Sequence, residues 1–178
     1  MQTTTYQTKE DIIKQIQLAY QEVTSFVINL DQKSFKYNPG EKWSVSDQLE
    51  HLILSSKGVP SALNMSKLKL MIFGKSKTGS RSYDELFGSY KDVLNTGTKA
   101  PPKYSPDQEK TWTREELLAN WKMIEDKFSD RIANWSEKDL DSYCLPHPAL
   151  GKVTMRETLL FTIFHTNHHL KSMKALFN

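Results

Sequence analysis

The sequence predicts an all-α protein, a four-helix bundle, on three observations. Four long stretches repeat their apolar residues at the 3.6-residue period, and each starts at a Ser or Thr with an acidic residue three positions on. No stretch alternates apolar and polar residues as a half-buried strand does. With 178 residues the chain has the length of one domain, read as 1–178, with a core large enough to be stable. Four amphipathic helices without a sheet bury their apolar stripes against one another, so an antiparallel bundle is the expected architecture.

The first helix opens at Thr8, with Asp11 as its capping partner, and runs to about Leu30. Ile12, Ile16, Ala19, Val23, Phe26, Val27 and Leu30 fall within about 100° of one another on it. Asn38-Pro39-Gly40 marks a loop, because Pro and Gly favour turn dihedrals. Ser44 with Asp47 opens the second helix, whose face carries Val45, Leu49, Leu52, Ser56 and Val59, with His51 at its margin. Gly58 and Pro60 bend or interrupt that helix, and Leu63 to Phe73 resumes it. From Gly74 to Trp112 the composition turns to Lys, Ser, Gly, Thr and Pro, which reads as an irregular insertion between helices two and three. Within it, Tyr83 to Leu94 is the one helical run, and Ala100 to Pro106 is extended by its prolines. The insertion is expected to cover one end of the bundle. Thr113 with Glu116 opens the third helix, with Leu117, Trp121, Ile124, Phe128, Ile132 and Trp135 on one face. Leu145 to Gly151 is a loop, after which Thr154 with Glu157 opens a fourth helix ending near Leu176. Trp43, Trp121 and Trp135 are assigned to the core. Leu160, Ile163 and Leu170 lie opposite the histidines of helix four and must be covered by the insertion or by a second copy of the chain.

Composition narrows the function classes. The 24 basic residues are scattered against 21 acidic ones for a net charge of +3, without the basic block that tracks a phosphate backbone, so nucleic-acid binding is not expected. The single cysteine, Cys144, precludes an internal disulfide. Met1 to Glu10 is polar and nowhere do 18 apolar residues run together, so the expectation is a cytoplasmic protein with no membrane segment.

The chemistry concentrates in His165-Thr166-Asn167-His168-His169. His165 and His169 are about 40° apart on one face and one turn from each other, so both imidazoles can reach one metal ion. Thr158 and Thr162, with Phe161, precede them on that face, and small side chains leave space for an ion and a ligand. A third ligand must come from elsewhere in the chain, and His51 is the leading candidate. His168 can compete, but a supporting contact or a place at a helix interface suits it better. Asp47, one turn before His51, is a candidate acceptor for an imidazole N–H. Cys144 and His147 form one CxxH pair without a second, which is poor evidence for zinc, and Cys144 is assigned to packing. Thr166 stands where a zinc peptidase of the HExxH kind has glutamate, so that activity is not expected.

Glu41-Lys42-Trp43-Ser44-Val45, Glu50-His51-Leu52, Ala100-Pro101-Pro102 and His147-Pro148-Ala149-Leu150-Gly151, leading into Thr154, Glu157 and the HxxxH pair, resemble the DinB-like (DinB/YfiT) superfamily of four-helix-bundle metalloproteins. The resemblance spans most of the chain. It implies up-down-down-up connectivity and frequent homodimers. It also implies a divalent metal, zinc or nickel, held by a histidine eight residues after the tryptophan, here His51, and by His165 and His169. Some members are thiol S-transferases using low-molecular-weight thiols, and others are hydrolases or isomerases. The functional expectation is therefore a metal-dependent enzyme that activates a thiol or water for attack on a small electrophile. The rival expectations are a non-catalytic module that binds metal or a small ligand, and a structural bundle whose histidines hold nothing.

Overall fold

The computed structural model describes residues 8–40 and 42–177. The polar start up to Gln7, Glu41 of the loop motif, and Asn178 lie outside the described residues. Four long helical segments form the bundle: α1 (Lys9–Ile28), α3 (Val45–Ser56) prolonged by α4 (Gly58–Leu63), α7 (Arg114–Ala133) and α9 (Met155–Lys174). The sequence-predicted capping boxes form at all four starts, at Thr8, Ser44, Thr113 and Thr154. Each one satisfies helix N–H groups that would otherwise lack partners.

Side-chain contacts fix the direction of each helix. The N-terminus of α1 meets the end of α7 through Lys9 Nζ on the Ala133 carbonyl, and Arg114 at the start of α7 donates to the Leu30 carbonyl just after α1, so these two are antiparallel. Phe26 and Phe177 bring the ends of α1 and α9 together. Trp135 Nε1 donates to the Leu63 carbonyl at 3.0 Å, which sets α7 parallel to the α3–α4 segment. Gln48 opposite His169, with His51 opposite His165, makes α3 and α9 antiparallel. The connectivity is up-down-down-up, as the resemblance implies.

Aromatic side chains join α1 to α7 in the core. Tyr20 stacks on Trp121 with ring centroids 3.7 Å apart, Phe128 meets Tyr20 edge-on, and Trp121 Nε1 donates to the Tyr20 carbonyl. The predicted stripes of helices one and three lie in or against this core. Leu160, Ile163 and Leu170 are only 3%, 1% and 4% exposed within the single chain. Contacts inside the molecule therefore cover these three residues of α9.

Short elements complete the chain. They are α2 (Gln32–Lys36), α5 (Lys67–Leu70), α6 (Tyr83–Asn95) and α8 (Glu137–Ser142), with 3₁₀ turns at Met71–Phe73, Pro102–Tyr104 and Ala175–Phe177. The insertion thus contains the expected helix, but its proline stretch closes into a turn at Pro102–Tyr104 rather than staying extended. The loop read at Leu145 to Gly151 is a β-hairpin, β1 (Cys144–His147) paired antiparallel with β2 (Gly151–Thr154). Gly74 begins the insertion at φ +76°, a conformation that glycine adopts without strain, and its carbonyl receives the Cys144 N–H.

Arg81 and Glu157 anchor the insertion to α9. The Glu157 carboxylate caps α9 through the Thr154 N–H and also accepts from the Arg81 backbone N–H and guanidinium. Burial alone would raise its pKa, yet these hydrogen bonds hold it below the usual carboxylate range. Glu157→Ala is expected to lower stability by about 2–3 kcal/mol, the worth of a helix cap plus a charged hydrogen bond. Urea unfolding of the variant beside the parent measures it, and a loss under about 0.5 kcal/mol would remove this anchor from the account.

Candidate metal centre

The four-residue spacing on α9 and the antiparallel approach of α3 bring three histidines to one point. The ring centroids of His51, His165 and His169 lie 4.7–4.9 Å apart, and one nitrogen of each falls within 4.8 Å of the others. His51 and His165 are each 6% exposed, so the half-exposed polar cluster that a margin position on helix two suggests does not form.

The hydrogen bonds on the far side of two rings decide which nitrogens face inward. His51 Nδ1 is 2.7 Å from the Tyr104 carbonyl, which only accepts, so Nδ1 carries the hydrogen and Nε2 is bare. His169 Nδ1 is 3.1 Å from Gln48 Oε1, and the Gln48 amide is itself oriented because Nε2 donates to the Trp43 carbonyl. His169 Nε2 is therefore free as well. The Nε2 atoms of His51 and His165 stand 3.0 Å apart, a separation open to two nitrogens each about 2.1 Å from one ion. Phe161 stacks on His165 with centroids 5.0 Å apart and holds that ring in place.

Electrostatics point the same way. Burial pushes the His51 and His165 pKa values down, for His165 well below the ordinary value with its histidine neighbours adding to the effect. The His169 pKa is lowered to about 3, by burial first and then by His51 and His168. At neutral pH all three rings are uncharged and able to donate a lone pair.

Several assignments change on this geometry. Asp47 does not serve an imidazole, because its carboxylate is taken up by the Ser44 N–H at 2.9 Å and the Ser44 hydroxyl at 2.7 Å. The acceptors are the Tyr104 carbonyl and Gln48, neither of them anticipated. Trp43 is not a core residue; its ring walls the site, 5.1 Å from His51 and 6.4 Å from His169. Trp121 and Trp135 are buried as expected. His168 is exposed at the rim and stands outside the convergent set. Cys144 is packed, and neither it nor His147 joins a group of three convergent ligands among the described residues.

The histidines do not sit in a sealed core. They form part of the wall of a cavity of about 600 Å³ between the bundle, the hairpin and the insertion, with Val59, Met65, Leu94 and Phe161 among its apolar lining. Thr158 and Thr162, the small residues expected above the histidines, line it too.

A family model described as the DinB superfamily matches residues 15–173. The chain belongs to the DinB superfamily. An uncharacterized relative of the superfamily chain, YuaE of Bacillus subtilis (strain 168), is 22% identical over 146 residues, which cover 82% of this chain and 84% of that protein. A crystal structure of TT2238, titled a four-helix bundle protein, matches 94% of this DinB chain and 99% of its own, with a TM-score of 0.55 at 14% identity. That likeness shows the fold. Among the described residues, no helix of this DinB-superfamily protein is long and apolar enough to cross a membrane.

The lowered histidine pKa values make stability depend on pH. Each ring takes a proton near pH 6.5 when unfolded but resists it when folded, so its contribution is complete above about 6.5 and is lost as pH falls through the lowered folded value, about 3 for His169. In the presence of chelator, the melting temperature should begin to fall between about pH 6.5 and 5, above the range where carboxylates titrate. A flat profile down to pH 5 would contradict the lowered values.

Proposed function

We propose that this protein is a metal-dependent enzyme in which His51, His165 and His169 hold one divalent ion, zinc or nickel, at the wall of the cavity. The observation that carries the reading is the convergence of three uncharged imidazoles, two of them buried and His169 half-buried, beside an open volume. A purely structural metal site is closed by protein ligands, whereas a site with protein on one side and a cavity on the other has room for an exogenous ligand. A bound ion would stabilise the deprotonated form of a thiol or water and so supply the nucleophile for a small electrophile.

The chain's own groups do the rest. Tyr104 and Gln48 fix the tautomers of His51 and His169, which keeps two lone pairs aimed inward before any ion arrives. Among the described residues no carboxylate joins the three histidines, so they would leave a bound ion its full charge. Phe161 and Trp43 pack against His165 and His51 and so limit the rotation of those rings. The substrate is a small molecule, and a low-molecular-weight thiol is the second reactant when the reaction is a transfer rather than a hydrolysis.

Protein purified without a histidine tag or chelator should carry close to one transition-metal ion per chain by elemental mass spectrometry. His51→Ala, His165→Ala and His169→Ala should each reduce that to under about a tenth, and Gln48→Ala should weaken binding about 10- to 100-fold. His168→Ala should leave it unchanged. The metal-loaded chain is then screened for conjugation of thiols to aromatic halides and for hydrolysis of aryl esters. Turnover that His165→Ala abolishes supports an enzyme; metal without turnover supports a binding module, and wild-type protein free of metal defeats the reading.

A further inference from the structure

His147 lines the same cavity but belongs to no ligand set. It ends β1, and the tight turn after it brings the backbone N–H groups of Ala149 and Leu150 to its Nδ1, at 3.2 and 3.1 Å. A nitrogen that accepts two N–H groups carries no hydrogen, so the hydrogen is on Nε2. The turn therefore fixes the tautomer without using any side chain. Among the described residues, Nε2–H meets no acceptor. Burial lowers the His147 pKa to about 4, with Arg81 adding to the effect, so the ring is neutral at pH 7 and remains a single-hydrogen donor.

Its surroundings say what such a donor is for. The His147 ring is 4.3 Å from that of Phe161, which in turn stacks on His165, so one aromatic ring separates it from the three-histidine cluster. Leu145, Val153, Phe73 and Met65 line the cavity with it. A half-buried N–H on an apolar cavity wall is cut off from water once an apolar ligand fills the cavity, and a ligand oxygen seated there offsets the resulting cost of about 1–3 kcal/mol. In a mostly apolar cavity such a donor fixes orientation, because only one end of an apolar ligand can satisfy it.

We infer that His147 is a substrate-binding residue whose Nε2–H receives the carbonyl or ether oxygen of an otherwise apolar molecule, holding it beside the three-histidine cluster. The inference rests on the cavity being the substrate site, but not on the ion. It narrows the substrate class to apolar molecules bearing a neutral oxygen acceptor.

Two variants separate the roles of the two nitrogens. His147→Asn keeps an acceptor near Nδ1 for the turn and removes the Nε2–H donor. His147→Gln keeps an N–H donor near Nε2 and removes the turn's acceptor. The probes are 2-acetylnaphthalene and 2-isopropylnaphthalene, alike in size and differing in the carbonyl, titrated by calorimetry into the full chain as purified and again after chelator. The wild type should prefer the ketone by about three- to tenfold, the worth of one net hydrogen bond. His147→Asn should abolish that preference while binding the hydrocarbon within about twofold of wild type, and His147→Gln should retain most of the preference. Nitrogen NMR of labelled histidine in the wild type gives a reading that needs no variant: Nε2 of His147 should shift with the ketone and not with the hydrocarbon. An unchanged preference in His147→Asn, equal binding of the two probes by wild type, or no binding of either overturns the inference. Wild-type protein that holds no metal as purified would defeat the metal reading, and a ketone preference in that protein or after chelator would leave this one standing.

Discussion

Three imidazoles withdrawn from water at the seam of α3 and α9 impose a constraint that the neighbouring structure has to meet. Their inward nitrogens lie too close together to be charged, and burial lowers the pKa of each ring. Two of them are also denied an inward hydrogen by their outer partners, the Tyr104 carbonyl and Gln48. With its hydrogen on Nε2, His165 can donate to His51 across 3.0 Å, but that one hydrogen does not also serve the inward lone pair of His169. Lone pairs held in this way match a cation, and that is why the arrangement reads as a binding site and not as ordinary polar packing.

The rest of the fold keeps that arrangement in place without depending on it. Neither Tyr20 nor Trp121, which stack in the α1–α7 core, is among the residues that line the cavity. The start of α9 is held by Arg156, which pairs with Glu137 and Asp141, and by the Glu157 cap with Arg81. The insertion, tied down at Arg81, packs Phe87 and Tyr90 against Phe164 and Phe161 before Tyr104 returns to His51. A stretch that resembles a spacer in composition therefore supplies both a cavity wall and the acceptor that sets a histidine tautomer.

What the sequence discloses follows from which signals are periodic or local. The four helices are legible because their stripes repeat and their capping boxes are complete. His165 and His169 are legible because four residues make one turn. The hairpin is not, because each strand has only four residues and β1 contains Pro146. Trp43 precedes the N-cap of α3, so helical spacing says nothing of where its ring goes. Asp47 is instructive: the Ser44 box identified from sequence already commits its carboxylate, which left it unavailable to His51. Gln48, three residues before His51 on the same helix, carried a readable signal. The Tyr104 carbonyl did not, since every residue has one.

The most direct test of the account is X-ray absorption at the edge of any transition metal that co-purifies with the protein. Three imidazole nitrogens should dominate the first shell, with a remaining ligand that exchanges when a small thiol is added. A shell with one imidazole or none, or one unchanged in His51→Ala, would contradict the claim that these three histidines form the metal centre.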